Sequence, residues 1–535
     1  MKFEKPLLLR EMTPRLLRIY LFASMGAMNF GYDNNWWAGI IGIDTFAQDY
    51  GRYNGPDTPR SLPSTWLSAA SGTPLAGWII GCFVSSYLTS NIGRKMTIVV
   101  LCVIALVGMV IQCAVHNYWA LMVGRLINAF SMGIEANCIP MYMAELAPPA
   151  IRGALVNFYQ SWLMIGAVLA AATVYATNEH LTGKWTYLTP IVVQIGPPVL
   201  LLSAVWFIPE SPRWLLSKNR KTKAFEALQY MRHGSSTDDE VSSELELIDL
   251  ALEQEKELHR ATGYADCFKG VNFHRTMVAV GVQCLQQAQG NSFTTTYIVL
   301  FLQSLGVENP LLIKTARACC SFAGTLFAFY LTDKIGRRMM LIGGAFLMAI
   351  LLWVTSGLAA WTPGGVTGSA AQGAIACIIL HGAISTACWG SAMWTVTTEV
   401  ATNQLRERTI AVATVLGFAT SLVITYVNPY VQGEPGNLGA RVGLIYASMS
   451  FLAMAFVYFV VPEMKGRSLE ELDEMFHSGV PAWRSKGFVA TGLGAQITDI
   501  QNNNSGRLIV GKDGVAVTDV EVGLPKDKTN GRQGI

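Results

Sequence analysis

The sequence predicts an all-α membrane protein with twelve transmembrane helices in two six-helix halves. Three observations carry that prediction. Apolar residues make up 51% of the 535 residues and charged residues 14%, against about a quarter charged in an average soluble protein. Twelve stretches of about 20 apolar residues follow one another, each long enough to cross a hydrocarbon layer as a helix. Short charged motifs of the first half return in the second. The same composition excludes a row of soluble domains. A disulfide scaffold is excluded by size and by the ten cysteines, nine of which (Cys82, Cys102, Cys113, Cys138, Cys284, Cys319, Cys320, Cys377 and Cys388) lie in apolar stretches, with Cys267 in a polar one. Their spacing fits no metal, and the Cys319-Cys320 pair reads as small, soft packing. A net charge of +3 gives no field for nucleic acid. No cleavable signal peptide is evident.

Residues 1–18 are polar and basic and form a cytoplasmic N-terminus. The expected spans are 19–43, 67–89, 97–115, 119–144, 153–176 and 186–208, then 276–304, 312–332, 339–360, 371–397, 409–430 and 441–461. The first six form an N-terminal half, 19–208, and the last six a C-terminal half, 276–461. Between them, 209–275 reads as a cytoplasmic linker of short amphipathic helices, for example KTKAFEALQYM and SSELELIDLALEQEKELHR. The tail, 462–535, is cytoplasmic and mostly disordered, being rich in Gly, Asn and Asp after about residue 485. With the N-terminus inside, 32 of the 39 Lys and Arg fall in inner segments, as the positive-inside rule requires.

The chain repeats itself. GRK at 93–95 returns as GRR at 336–338. Glu145 with Arg152 returns as Glu399 with Arg406, seven residues apart both times, and PES at 209–211 returns as PEM at 462–464. Each motif falls at the inner end of the same helix of its half. Two parallel repeats of six helices are an architecture of transporters.

Several stretches in order resemble the sugar porters of the major facilitator superfamily. They are GRK and DKIGRR, Tyr142-Met-Ala-Glu-Leu-Ala-Pro with Arg152-Gly153, Pro209-Glu-Ser-Pro-Arg-Trp-Leu, Gln286-Gln287, and Pro462-Glu-Met-Lys-Gly-Arg-Ser with Glu470-Glu-Leu-Asp-Glu-Met-Phe. The likeness covers about residues 17–477 and is greatest to fungal sugar permeases, with some similarity to the α-glucoside branch. It implies alternating access, in which two helical halves rock around a mid-membrane site. No nucleophile–base or metal constellation and no phosphate-binding glycine-rich loop is visible, so no cofactor and no catalytic residue is expected.

Asp33 lies midway along the first span. A carboxylate there is costly, so it should face the bundle interior and find a partner. It reads either as a structural acid or as a proton acceptor. In proton-coupled sugar porters the matching Asp pairs with an Arg of the fourth helix, and Arg125 stands at that place. Glu135 is a second intramembrane acid, ten residues and about 15 Å along the helix from Arg125.

Sugars are held by groups that both donate and accept hydrogen bonds, for which carboxamides are suited. The resemblance implies substrate contacts at Gln160, Gln286, Gln287 and Trp394, with Tyr297 as an outer gate. Ser292, with Asn291 beside it, and Ser321 stand where the family carries Asn. Gly417-Phe418 replaces an Asn-Trp pair. These shorter side chains suit a glycoside or another polyhydroxylated solute larger than a simple hexose. At the cytoplasmic side, Arg94, Glu145, Arg152, Glu210, Arg213, Asp333, Arg337, Glu399, Arg406 and Glu463 are expected to latch helices together and hold the halves shut.

The sequence therefore reads as a multi-pass transporter in the lipid bilayer, most simply at the plasma membrane. Its expected partners are a sugar or polyol and, by symport, protons. The competing readings are a porter of a quinate-like polyol or biosynthetic-cluster product, and a sugar sensor that scarcely transports. A sensor is expected to rely on a docking tail, and this tail shows no docking motif.

Overall fold

Gly93 and Gly336 stand at matching points of the two halves, with φ of 93° and 92°. Each occupies a turn that an L side chain disfavours, and each is followed by the start of a helix. The computed structural model describes residues 14–53, 60–146, 152–232, 237–261, 263–304, 306–361, 368–402, 405–465, 467 and 469–488. The chain before residue 14 and the expected disordered tail after 488 lie outside them.

The first half contains α1 (Pro14–Ile40), a short α2 (Asp44–Tyr50), α3 (Ser64–Ile92), α4 (Arg94–Ala114), α5 (Tyr118–Leu146), α6 (Arg152–His180), α7 (Trp185–Val193) and α8 (Gly196–Ala204). The linker carries α9 (Pro212–Ser217), α10 (Lys221–Arg232) and α11 (Asp238–Ala261), where amphipathic helices are expected. The second half contains α12 (Gly270–Gln286), α13 (Ser292–Thr296), α14 (Ile298–Ser304), α15 (Pro310–Ile335), α16 (Arg337–Trp361), α17 (Gly368–Ile384), α18 (Ser391–Val400), α19 (Arg406–Gln432) and α20 (Val442–Val460). α21 (Leu469–His477) follows.

Nine of the twelve expected spans are long and apolar enough among the described residues to cross a membrane. The other three are α1 and α5, which carry Asp33, Arg125 and Glu135, and the seventh, α12–α14. Local chemistry explains the breaks. The sixth span divides before Pro197 and Pro198, which open α8 and lack the N–H that would continue α7. The seventh divides at Gly290, where φ is 103°, inside one wide π-turn over Gln287–Asn291. A second π-turn, Ser385–Gly390, joins α17 to α18 in the tenth span. Such turns recur at functional sites.

The packing repeats as the sequence does. α1 lies on α6 as α12 lies on α19; α3 on α5 as α15 on α17; α4 on α5 as α16 on α17. Without apolar solvent exclusion to drive them, membrane helices approach closely through small residues. A Cβ on Gly31 would fall almost on the carbonyl oxygen of Leu163, and one on Gly166 on that of Met28, so α1 and α6 cross backbone to backbone.

The halves meet along α3 with α19 and α6 with α15. At one end they share a packed core in which Tyr32, Trp36, Trp37 and Phe46 of the first half lie among Phe293, Tyr297, Ile298 and Tyr446 of the second. Polar bonds accompany this core: Tyr297 donates to the Thr425 carbonyl at 2.7 Å and Gln303 to the Gly42 carbonyl at 3.0 Å. The first of these stays within the second half, and the second joins the halves.

Candidate functional site

The break in the seventh span sets four side chains into one hydrogen-bonded chain. Gln287 Nε2 donates to Gln286 Oε1 at 2.7 Å, and the Ser292 hydroxyl donates to Gln287 Oε1 at 2.7 Å. Ser292 Oγ also lies 2.7 Å from Ser421 Oγ on α19. Gln287 and Ser292 stand five residues apart, and the π-turn between them brings their side chains together. One turn earlier, Gln283 reaches Thr397 of α18 at 3.4 Å. Gly417 lies against the Gln283 side chain, and Phe418 meets the ring of Trp78 at 5.9 Å across the two halves. The Gly417-Phe418 stretch therefore serves close helix contact.

The other expected contacts are spread over neighbouring helices. Asn291 is half-buried, and its carbonyl accepts from Thr295. Ser321 of α15 is buried, and its carbonyl accepts from Thr386 of the tenth span at 2.8 Å. Gln160 on α6 is half-buried, and Trp394 on α18 is exposed. Gln286, Gln287 and Ser292 are joined directly; no hydrogen bond among the described residues ties Gln160, Asn291, Ser321 or Trp394 to them.

Asp33 is held differently from the expected ion pair. Its Oδ1 accepts from Trp36 Nε1 at 3.1 Å, Asn128 Nδ2 at 2.7 Å and Gln194 Nε2. Arg125 makes no ion pair with it among the described residues. The guanidinium instead donates to the Ala70 carbonyl at 2.5 Å and lies 3.9 Å from the centre of the Trp37 ring. Three neutral donors thus satisfy the acid, while a carbonyl and two indole faces satisfy the base. Gln194 reaches Asp33 because the sixth span breaks beside it. Glu135, on the same helix as Arg125, is fully buried; Asn29 donates to its Oε2 at 3.4 Å, and Oε1 has no partner.

The charges expected on the cytoplasmic side pair within each half, and none of the described pairs crosses between the halves. Arg94 bonds Glu145 at 2.5 Å, and its counterpart Arg337 bonds Glu399 at 2.9 Å. Glu210 accepts from the backbone N–H groups of Arg94 at 3.0 Å and Lys95 at 3.1 Å; Glu463 accepts from that of Arg337 at 3.1 Å. Each carboxylate fills the space beside Gly93 or Gly336 and binds the positive N-terminus of the following helix. Burial raises the Glu210 carboxyl above its ordinary value, against the opposing pull of the backbone N–H groups. Arg213 lies in the first turn of α9, and Arg406 is exposed at the start of α19. The side chains of Arg152 and Asp333 lie outside the described residues.

Sequence reasoning missed Asn128, Gln194 and Ser421. All three are polar residues inside spans, which is the signal that could have found them. Among the described residues no group of His, Cys, Asp and Glu is placed to hold a metal.

The family model described as "Sugar (and other) transporter" matches residues 19–476. The major facilitator-type transporter ecdD of Aspergillus rugulosus is 29% identical over 85% of this chain and 86% of its own. High-affinity glucose transporter 1 of Candida albicans is 29% identical over 89% of both chains. The high glucose sensor RGT2 of Saccharomyces cerevisiae is 30% identical over 88% of this chain and 62% of its own. In fold, the chain resembles the inward open conformation of the xylose transporter XylE from E. coli, with a TM-score of 0.71 at 23% identity over 86% of this chain and 99% of that one. The repeat, the paired helix packing and the motif-bearing turns at Gly93 and Gly336 belong together: the chain is a sugar porter of the major facilitator superfamily.

Proposed function

We propose that the protein carries a polyhydroxylated solute across the plasma membrane by alternating access, coupled to protons. The observation that supports this most is the chain Gln286–Gln287–Ser292–Ser421 at the break of the seventh span. Carboxamides and hydroxyls offer donors and acceptors without charge, so each can exchange its neighbour for a solute hydroxyl at little cost. Trp394 and Gln160 supply an apolar face and a further carboxamide from neighbouring helices.

Asp33 is the proton site in this reading. It sits in a span and receives its hydrogen bonds from neutral groups, so a proton can neutralise it without stranding a bonded cation. Arg125 lies nearby on the indole faces. Trp36 and Trp37, on which Arg125 rests, belong to the core that the two halves share, so separation of the halves changes the surroundings of Arg125 and of the neighbouring Asp33, which couples charge to conformation. The aromatic core shared by the halves closes the outer end, with Tyr297 within it, leaving entry from the cytoplasmic side.

Uptake of labelled sugars and polyols, in cells lacking their own sugar permeases, tests the reading. Saturable uptake of one such solute is expected. A protein that reaches the membrane and takes up none of them, yet alters a glucose-dependent signal, would be a sensor instead.

A further inference from the structure

The eighth span carries charge that neither the sugar site nor Asp33 uses. Lys314 and Arg317 lie one turn apart on α15, and Ser321 follows one turn later. Lys314 is buried, and its Nζ donates to the Asn35 carbonyl of α1 at 2.6 Å, from one half to the other. Arg317 Nη2 donates to Thr294 Oγ1 at 3.0 Å on α13, just after the hydrogen-bonded chain, and its Nε is buried without a partner. His381 of α17 is 1% exposed, both its ring nitrogens lack partners, and its charged neighbour is Arg317. A Cβ on Gly382 would lie 2.8 Å from Arg317 Cγ and 2.9 Å from Ser321 Oγ, so Arg317 is held beside Ser321 where α15 meets α17. Lys314, Arg317 and His381 form no ion pair with a described carboxylate.

Intramembrane cations are costly and are kept with a counter-charge or a function. Two cations one turn apart repel as well. Here the protein supplies carbonyl and hydroxyl oxygens but no anion, and leaves N–H groups of Arg317 and His381 unpaired. We infer that the transported solute supplies the missing charge: it carries a carboxylate or phosphate on a polyhydroxylated carbon frame, bound by Arg317 with Lys314 and His381 beside it. The planar fork of Arg317 suits either oxyanion. The solute's hydroxyls fall to Gln287, Ser292 and Ser421, and the small side chains of Ser292 and Ser321 leave room near the guanidinium. This assignment rests on the transport reading of the same site.

Binding to the purified full-length protein is measured by titration calorimetry for matched pairs: glucose against gluconate and glucose 6-phosphate, and inositol against quinate. Exchange of the same solutes is measured in proteoliposomes. The acidic member of at least one pair is expected to bind more tightly than its neutral partner, and which acid binds separates carboxylate from phosphate. Arg317→Gln is expected to weaken acid binding by about ten- to a hundredfold, as for loss of a hydrogen bond to a charged group, and to weaken neutral binding less. Arg317→Lys is expected to restore part of the loss. Lys314→Met serves as a second variant if Arg317→Gln does not fold, and the wild-type pairs decide if neither does. Neutral solutes bound as tightly as acids, or equal losses for both in Arg317→Gln, would overturn the anion subsite and leave the transporter intact. Acids bound but never exchanged would support the subsite and overturn transport. No binding by any solute would overturn both.

Discussion

Polar side chains inside a span are the residues whose roles can be read most directly, because the bilayer makes each one expensive. Asp33 and Arg125 stood out in the sequence for that reason, and the Gln286-Gln287 pair through the family resemblance. Their partners were not: Gln194 meets Asp33 through a helix break, and Ser421 meets Ser292 from a helix 129 residues away. Gln287→Ala and Trp394→Ala are expected to weaken apparent affinity while the protein still reaches the membrane. Loss of one hydrogen bond to a neutral hydroxyl is worth about 0.5–1.5 kcal/mol, or about 2- to 13-fold in the Gln287 variant. Radiotracer uptake over a concentration series reads this, and unchanged affinity for every accepted solute in both variants would remove the site. Outside the spans, Glu210 gives a pH test. Its folded pKa is raised above the ordinary 4.5 by burial, so its contribution to stability is fully present below that value and is lost as pH rises through the raised one. Glu210→Gln removes the titration. The melting temperature of the variant relative to the wild type should therefore climb as pH rises from about 4.5, measured in detergent.

Helices α1 and α6 show what an element owes to a missing side chain. The backbone crossing leaves no room for a Cβ at Gly31, whereas the space around Gly343 on α16 is open within 4 Å. Gly31→Ala is expected to abolish monodisperse protein on size-exclusion chromatography. Gly343→Ala is expected to keep or raise stability, since Ala exceeds Gly as a helix former by about 1 kcal/mol. Equal behaviour of the two variants would contradict the crossing. Hydropathy predicted the spans well and their interruptions poorly. A window of apolar residues does not register that Gly290 adopts a positive φ or that Pro197 and Pro198 end a hydrogen-bond ladder. Those interruptions set the candidate side chains, with Gln194 reaching Asp33 and Ser292 reaching Gln287, so the candidate site lies where the periodic signal is weakest.

At the scale of the molecule, the repeat of short motifs foretold the architecture because each motif has a mechanical role. Glycine makes the turn, the following arginine pairs with a glutamate of its own half, and the distant Glu210 or Glu463 binds the helix start. What the motifs did not convey is that these pairs brace each half as a unit. Two braced halves, packed together at one end by Trp36, Trp37, Phe293 and Tyr446, are suited to rock as rigid bodies about a site between them. The most direct test of that account is solute accumulation in sealed vesicles under an imposed proton gradient, with and without a protonophore, for the wild type and Asp33→Asn. The account predicts accumulation above equilibration in the wild type, its collapse with the protonophore, and none in Asp33→Asn, which should still exchange solute across the membrane. Wild-type uptake that stops at equilibration and ignores the protonophore would contradict it, and Asp33 would then be a structural acid held by Trp36, Asn128 and Gln194.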